Sequence, residues 1–308
     1  MKHIAGRLWL AVFVAIAGYF LVHYVDTRRD VVRAFSALNR NLVLAAVACQ
    51  LAYFFVTVAA WRQVIKTVTS ASLSRWEALV QIVLVNFGKY VPGKIWGLTA
   101  RGARLRQLGF DLNRVVRASY VEQLFLLGSG VILASVIAVP AFDEPVYIVP
   151  AILSAALLAS LRFSRPLLGK AVSVMPRLEP LQRYFGAEMS WGRVLGLMGS
   201  FAAIWLCLGS AFFLLSADFA GIDFTWRNAS IFVLGLIAGY LAGFIAVFAP
   251  GGVGVREGIA ATILSSVMAI EEALFVMLLF RVWTIVWELL AGFLLIAKHR
   301  NAILPVKD

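Results

Sequence analysis

Ala249-Pro250-Gly251-Gly252-Val253-Gly254-Val255-Arg256-Glu257-Gly258 breaks an apolar run that extends from residue 229 to 270. Proline removes a backbone donor and glycine weakens the helical preference, so no helix runs straight through this stretch. In hydrocarbon such a break survives only where protein or a water-filled cavity satisfies the freed backbone groups. A second break of the same kind lies upstream, Asn86-Phe87-Gly88-Lys89-Tyr90-Val91-Pro92-Gly93-Lys94, followed by Arg101. Interrupted apolar segments at corresponding places in two halves point to a transporter-type binding site. A membrane-embedded site for a charged or amphipathic ligand is therefore expected.

The composition agrees with a membrane setting. Of the 308 residues, 62% are hydrophobic and 14% charged, with a mean hydropathy of +0.88. Soluble domains run nearer half apolar and a quarter charged. The net charge of +12 falls in short loops between apolar runs, where it orients the protein and meets anionic lipid heads. It is not a nucleic-acid footprint. Cys49 and Cys207 both sit within apolar runs, a poor basis for a disulfide or a metal site. The sequence offers no nucleophile–base set, no His/Cys metal cluster and no ATP-binding loop. No cofactor and no enzymatic activity are expected. The basic start at Lys2 and Arg7, followed by the apolar run to Val25, reads as an uncleaved first helix.

A crossing needs about 20 apolar residues. The runs 8–25, 42–60, 118–139, 146–161, 194–217 and 273–297 supply six, while 78–100 and 229–270 hold the two breaks. Basic residues set the sides. Arg101, Arg104, Arg106, Arg114 and Arg117 mark a cytoplasmic loop, whereas 140–145, with Asp143 and Glu144, should be external. The same rule places 162–193 and the C-terminal tail inside and 218–228 outside; loop 26–40, with four arginines, is the exception. Both termini are then cytoplasmic, in a bacterial or archaeal plasma membrane.

On this assignment the first break begins and ends inside and the second outside, so each reads as a re-entrant hairpin entering from opposite faces. The expected fold is an all-α polytopic membrane protein, one integral-membrane domain spanning 1–308. It would hold two inverted-topology repeats, 1–139 and 146–300, with six crossings and two hairpins. The alternative is two ordinary crossings over 229–249 and 257–270, giving eight helices.

An ionisable side chain in hydrocarbon costs about 2.5–3.5 kcal/mol on insertion scales, so each one present needs a role. Arg281 lies in the last apolar run with Glu288 seven residues on, and Glu122 lies near the start of 118–139. Arg256 and Glu257 follow the second break, while Lys89, Lys94 and Arg101 surround the first. One reading is a basic pocket for a lipid phosphate. Arg offers a planar fork of donors and Lys a point charge, and glycines let backbone N–H groups approach closely. The other is internal pairing, of Arg281 with Glu122 or Glu288 and of Arg256 with Glu257 or a neighbour. Ligand contact is favoured for Arg256, Lys94 and Arg101, and pairing for Glu288. An Arg281–Glu122 pair is expected, because these residues follow Pro250 and Pro92 by 31 and 30 positions. Tyr90 and Trp96, beside the first break, are candidates to line a groove for an acyl or isoprenoid chain.

At both breaks the sequence resembles the transmembrane region of the lysylphosphatidylglycerol synthetase/flippase family. Asn86, Pro92, Gly93 and Arg101 match its first motif, and Pro250 to Glu257 match its second without a gap. Glu122 and Arg281 fit its helix Glu and its final-helix Arg. The resemblance implies a flippase-like protein that binds and translocates an anionic or sugar-bearing lipid, either a phospholipid or a polyprenyl-phosphate-linked molecule. The candidate substrate site is then Asn86, Lys89, Tyr90, Pro92, Gly93, Lys94, Trp96, Arg101, Glu122, Pro250, Gly251, Gly252, Gly254, Arg256, Glu257 and Arg281. Gly97-Leu98 and Gln123 stand where many members have Gly-Glu and Arg. Those departures suggest the branch with Lys-Tyr-x-Pro-Gly-Lys, which serves other lipid-linked molecules. The family's aminoacyl transfer belongs to a separate cytosolic domain, so synthetase activity is not expected. The alternative is a non-transporting accessory that presents a lipid-linked sugar to a partner glycosyltransferase.

Overall fold

The computed structural model describes residues 38–88, 96–162, 170, 172–173, 189–246, 249 and 252–298. The expected crossing 8–25 lies outside these residues, as do Lys89, Tyr90, Pro92, Gly93, Lys94, Pro250 and Gly251. All the extended elements described are helices: α1 Arg40–Thr69, α2 Arg75–Gly88, α3 Trp96–Gln107, α4 Leu112–Phe142, α5 Ile148–Ser160, α6 Trp191–Ala220, α7 Trp226–Ile245, α8 Val255–Leu264 and α9 Ile270–Lys298. Polar residues start three of the long ones. Asn39 accepts from the Asn41 N–H at 2.9 Å, Asp111 from Arg114 at 3.0 Å and Thr225 from Asn228 at 3.2 Å. Five helices, α1, α4, α6, α7 and α9, are long and apolar enough to cross a membrane. The chain is an all-α, multi-pass membrane protein.

Two expectations change. The run 146–161 forms only the 13-residue α5, about 20 Å long, after a short 3-10 turn at Pro145–Tyr147. That is too short to cross the bilayer by itself. The run 229–270 becomes α7, long enough to cross, followed by the 10-residue α8. With α8 only 10 residues long, the alternative of two ordinary crossings over 229–249 and 257–270 is not formed.

Helix packing in lipid depends on close contact rather than water exclusion, so small residues decide where backbones meet. α1 and α6 lie antiparallel at the centre. The Asn39 N–H donates to Asp218 at 2.7 Å at one end, and Ser200 Oγ donates to Gln63 at 3.2 Å toward the other. Trp61, Val64, Leu197 and Phe201 fill a shared core with α4.

The two broken segments each fold back on themselves. Arg104 Nη2 lies 2.5 Å from Glu77 Oε1 at the open end of α2 and α3. At their tip a Cβ on Gly88 would lie 2.1 Å from Gly97 N. α7 and α8 close in the same way: Gly235 faces Leu264, Gly239 faces the Arg256 backbone, and Gly243 meets Gly252. In both pairs the tip glycines are nine residues apart. The open end of α2 and α3 packs with the C-terminal part of α1, where Leu73, Ala78 and Leu105 meet Trp61, Val64 and Ile65. α7 starts at the opposite end of the bundle, where Phe219 of α6 stacks on Phe275 of α9 with centroids 5.4 Å apart. The two tips point in opposite directions.

This glycine contact is testable. A Cβ on Gly243 would sit 3.2 Å from Gly252 Cα and 3.3 Å from Arg256 Cβ, with little room to yield. Gly243→Ala is expected to destabilise the protein by about 1–3 kcal/mol, the usual cost of overpacking. Gly199→Ala meets nothing within 4 Å and should be neutral or slightly stabilising. Unfolding in a fixed detergent, compared between the two variants, checks the contact.

Candidate functional site

Two charges of the folded-back helix pairs, Arg101 and Glu257, are each neutralised by a charge on the long helix that follows. Arg101, 1% exposed, pairs through Nη1 with one oxygen of Glu122 and donates Nη2 to the other at 3.3 Å. Its guanidinium also lies over the Trp61 ring, 3.8 Å from the centroid. Trp61 Nε1 in turn donates to Gln81 Oε1 at 2.7 Å. This is a bidentate fork stacked on an aromatic face, two arrangements that Arg makes and Lys does not.

The second pair has the opposite polarity. Glu257 stands in the first turn of α8, where the helix dipole favours an anion. One carboxylate oxygen accepts from the Gly254 N–H at 2.7 Å, and the other pairs with Arg281 of α9. Gly252 and Gly254 hold φ values of +70° and +85°, a region that glycine enters freely, and so turn the chain into α8.

The expected Arg281–Glu122 pair is not formed. Arg101 lies within reach of Glu122 because α3 packs along α4, while Arg281 faces α8 and takes Glu257. Arg101, expected at the ligand, sits in the first of these pairs. Its charge is buried against Glu122, and Glu122, Glu257 and Arg281 are engaged with charged partners in the same way.

Arg256 is different. Its guanidinium lies 4.2 Å from the centroid of Tyr240, and among the described residues no carboxylate pairs with it. It lines a polar cavity with Gln50, Tyr53, Tyr240, Thr284 and Glu288. Tyr53, Leu208 and Thr284 each lie near the midpoint of a helix long enough to cross, so the cavity sits at mid-bundle depth. Its volume is about 10 Å³, the room of one water molecule. A larger apolar cavity of about 340 Å³ lies between α1, α6 and α9, lined by residues such as Phe219, Phe280 and Trp283. Trp283 Nε1 donates to Gln50 Oε1 at 3.1 Å, which joins the two walls.

The sequence matches the family described as the lysylphosphatidylglycerol synthase TM region over residues 7–292. The chain belongs to that family. No curated protein matches it.

In this member of the lysylphosphatidylglycerol synthase TM-region family the motif residues fall into separate places. Arg256 reaches the mid-bundle cavity, whereas Arg101 and Glu122 lie buried beside the first hairpin. Asn86, in the last turn of α2, keeps a buried Nδ2 without a partner among the described residues, as do Gln81 Nε2 and Arg101 Nε. Trp96 opens α3 and is half exposed. Gln50, Tyr53, Tyr240 and Thr284 escaped the sequence reading. Their signal was a polar atom inside an apolar run, weaker than a charge, and Glu288 was read there only as a pairing partner.

Proposed function

We propose that the protein is a flippase-like transporter that binds and carries a lipid with an anionic or sugar-bearing head group, a phospholipid or a polyprenyl-phosphate-linked molecule. The observation that carries this reading is Arg256: a guanidinium at mid-bundle depth, stacked on Tyr240, with no carboxylate paired to it among the described residues. A half-buried cation on the wall of a polar cavity suits a phosphate, which accepts two parallel N–H donors from one Arg. The apolar cavity across the Trp283–Gln50 hydrogen bond supports an amphipathic ligand, since its volume is within the range of small-ligand sites, about 300–1,000 Å³.

In this reading the glycine-closed helix pairs are re-entrant hairpins of two inverted repeats, and the head group passes between their tips. The basic end of the bundle, with Arg75, Arg104, Arg106, Arg114 and Arg117, faces the cytoplasm. The protein works without a cofactor or a catalytic step, in a bacterial or archaeal plasma membrane, with membrane lipids as its partners.

Purified protein in liposomes is expected to move a fluorescent anionic phospholipid between leaflets. Arg256→Ala should reduce that rate at least tenfold while leaving the unfolding temperature near the wild-type value. Arg256→Lys should restore only part of it, because an ammonium keeps the charge and loses the fork. Unchanged flipping in a folded Arg256→Ala variant would remove Arg256 from the site. Wild-type protein that binds the lipid without flipping it would favour the accessory role beside a glycosyltransferase.

A further inference from the structure

We propose that Cys49 and Cys207 are a redox site: a reversible disulfide between them clamps α1 to α6 beside the mid-bundle cavity. They are the two cysteines of the chain, both free thiols and both half-buried. Their placement follows from the seam between the two central helices. On α1, Ala46, Cys49 and Gln63 are spaced by 3 and 14 residues, and on α6, Ala211, Cys207 and Ser200 by 4 and 7. Such spacing keeps each set on one face of its helix. The faces meet, since Ser200 donates to Gln63. The level is fixed at the other end, where the Asn39 N–H donates to Asp218. Cys49 lies 10 residues after Asn39 and Cys207 lies 11 before Asp218, so the antiparallel pair brings the two thiols level.

The packing agrees. Ala46 and Ala211 are fully buried in one core cluster with Leu208 and Phe212, and Cys49 packs against that cluster. The two thiols lie within electrostatic reach of each other. Alanines let helix backbones approach closely, which suits a disulfide, whose Cα atoms stand about 4.4–6.8 Å apart. The next residue after each cysteine, Gln50 or Leu208, lines the cavity that Arg256 reaches. α1 also leads into the first folded-back pair and α6 into the second, so the bond ties the two together at their roots. Both thiols stand within helices long enough to cross the membrane, where a small neutral oxidant can reach them and an ion cannot. Two S–H bonds break and one S–S bond forms. The two electrons and two protons pass to the oxidant, which leaves as two waters from hydrogen peroxide or as a hydrazine from a diazene.

The test treats the full-length protein in detergent with the diazene diamide and, in a parallel sample, with copper–phenanthroline in air. The monomer is expected to lose the mass of two hydrogen atoms and to yield one linked peptide pair containing Cys49 and Cys207, both reversed by dithiothreitol. Its unfolding temperature should rise by about 4 °C or more, because the bond closes a long loop of the unfolded chain. Cys49→Ala should fold as wild type and show none of these changes. Thiols that still take N-ethylmaleimide after either oxidant and denaturation overturn the site, and so does pairing between molecules in place of pairing within one. A linked protein that unfolds at the reduced protein's temperature overturns the clamp. In liposomes the linked form should flip lipid about fivefold more slowly or less, since rocking of one half of a bundle against the other needs the seam free. That arm rests on the transport reading: reduced protein that moves no lipid fails that reading, while mass and unfolding temperature still decide the cross-link.

Discussion

Arg101→Ala is expected to destabilise the protein by about 3–5 kcal/mol, the cost of removing one partner of a buried ion pair. The reason lies in what remains. Glu122 is 8% exposed within α4, and without Arg101 its charge would stand beside Trp61, Val121 and Phe125 with no compensating cation. Glu122→Gln should cost nearly as much, since Arg101 is still more deeply buried and already leaves Nε without a partner. Arg101→Lys should recover little. An ammonium spans neither carboxylate oxygen pair nor the Trp61 face as the planar fork does. The double variant Arg101→Leu with Glu122→Leu should recover much of the loss, because paired removal leaves no orphaned charge. Denaturant titration in mixed micelles reads all four. If Arg101→Ala unfolds as wild type while flipping is lost, Arg101 belongs to the transport site and the pair is dispensable for the fold.

The fold was legible in the sequence where composition and length decide it. Runs 42–60, 118–139, 194–217 and 273–297 each became a long helix, because some 20 apolar residues in lipid have few other ways to satisfy their backbone. The breaks were legible for the same reason. What composition hid was distance. Run 146–161 is apolar enough to cross but contains Pro150 and yields a helix of 13 residues. Charge partners were hidden too, since spacing in sequence says little about which helix lies alongside. Counting from the prolines paired Arg281 with Glu122, yet contact is set by α3 lying on α4 and α8 on α9. The more useful count runs from the glycines: Arg101 and Arg256 each stand four residues after the second tip glycine, and each stacks on an aromatic ring. By that register the two arginines are counterparts. One is buried on a carboxylate, and the other lines the cavity.

Glu257→Gln is expected to weaken the second hairpin in two ways at once. The amide cannot neutralise Arg281, 24 positions on in α9, and it accepts only weakly from the Gly254 N–H that opens α8. Loss of the pair alone should cost about 3–5 kcal/mol, and loss of the cap about 1 kcal/mol more. Arg281→Gln should cost the pair and spare the cap, so it is expected to be the milder variant. Combining the two should give less than the sum, with a coupling of about 0.5–3 kcal/mol. The same cycle built from Glu122→Gln and Arg281→Gln should be additive, because each of those residues has its own partner within its own half of the molecule. Coupling between Glu122 and Arg281, with additivity between Glu257 and Arg281, would instead restore the pairing that proline spacing suggests. The cap separates the two outcomes further. Glu257→Asp keeps the charge but shortens the reach to Arg281, so it should retain the start of α8 and lose most of the pair. That combination has no counterpart at Glu122, which lies in the interior of α4 and caps nothing.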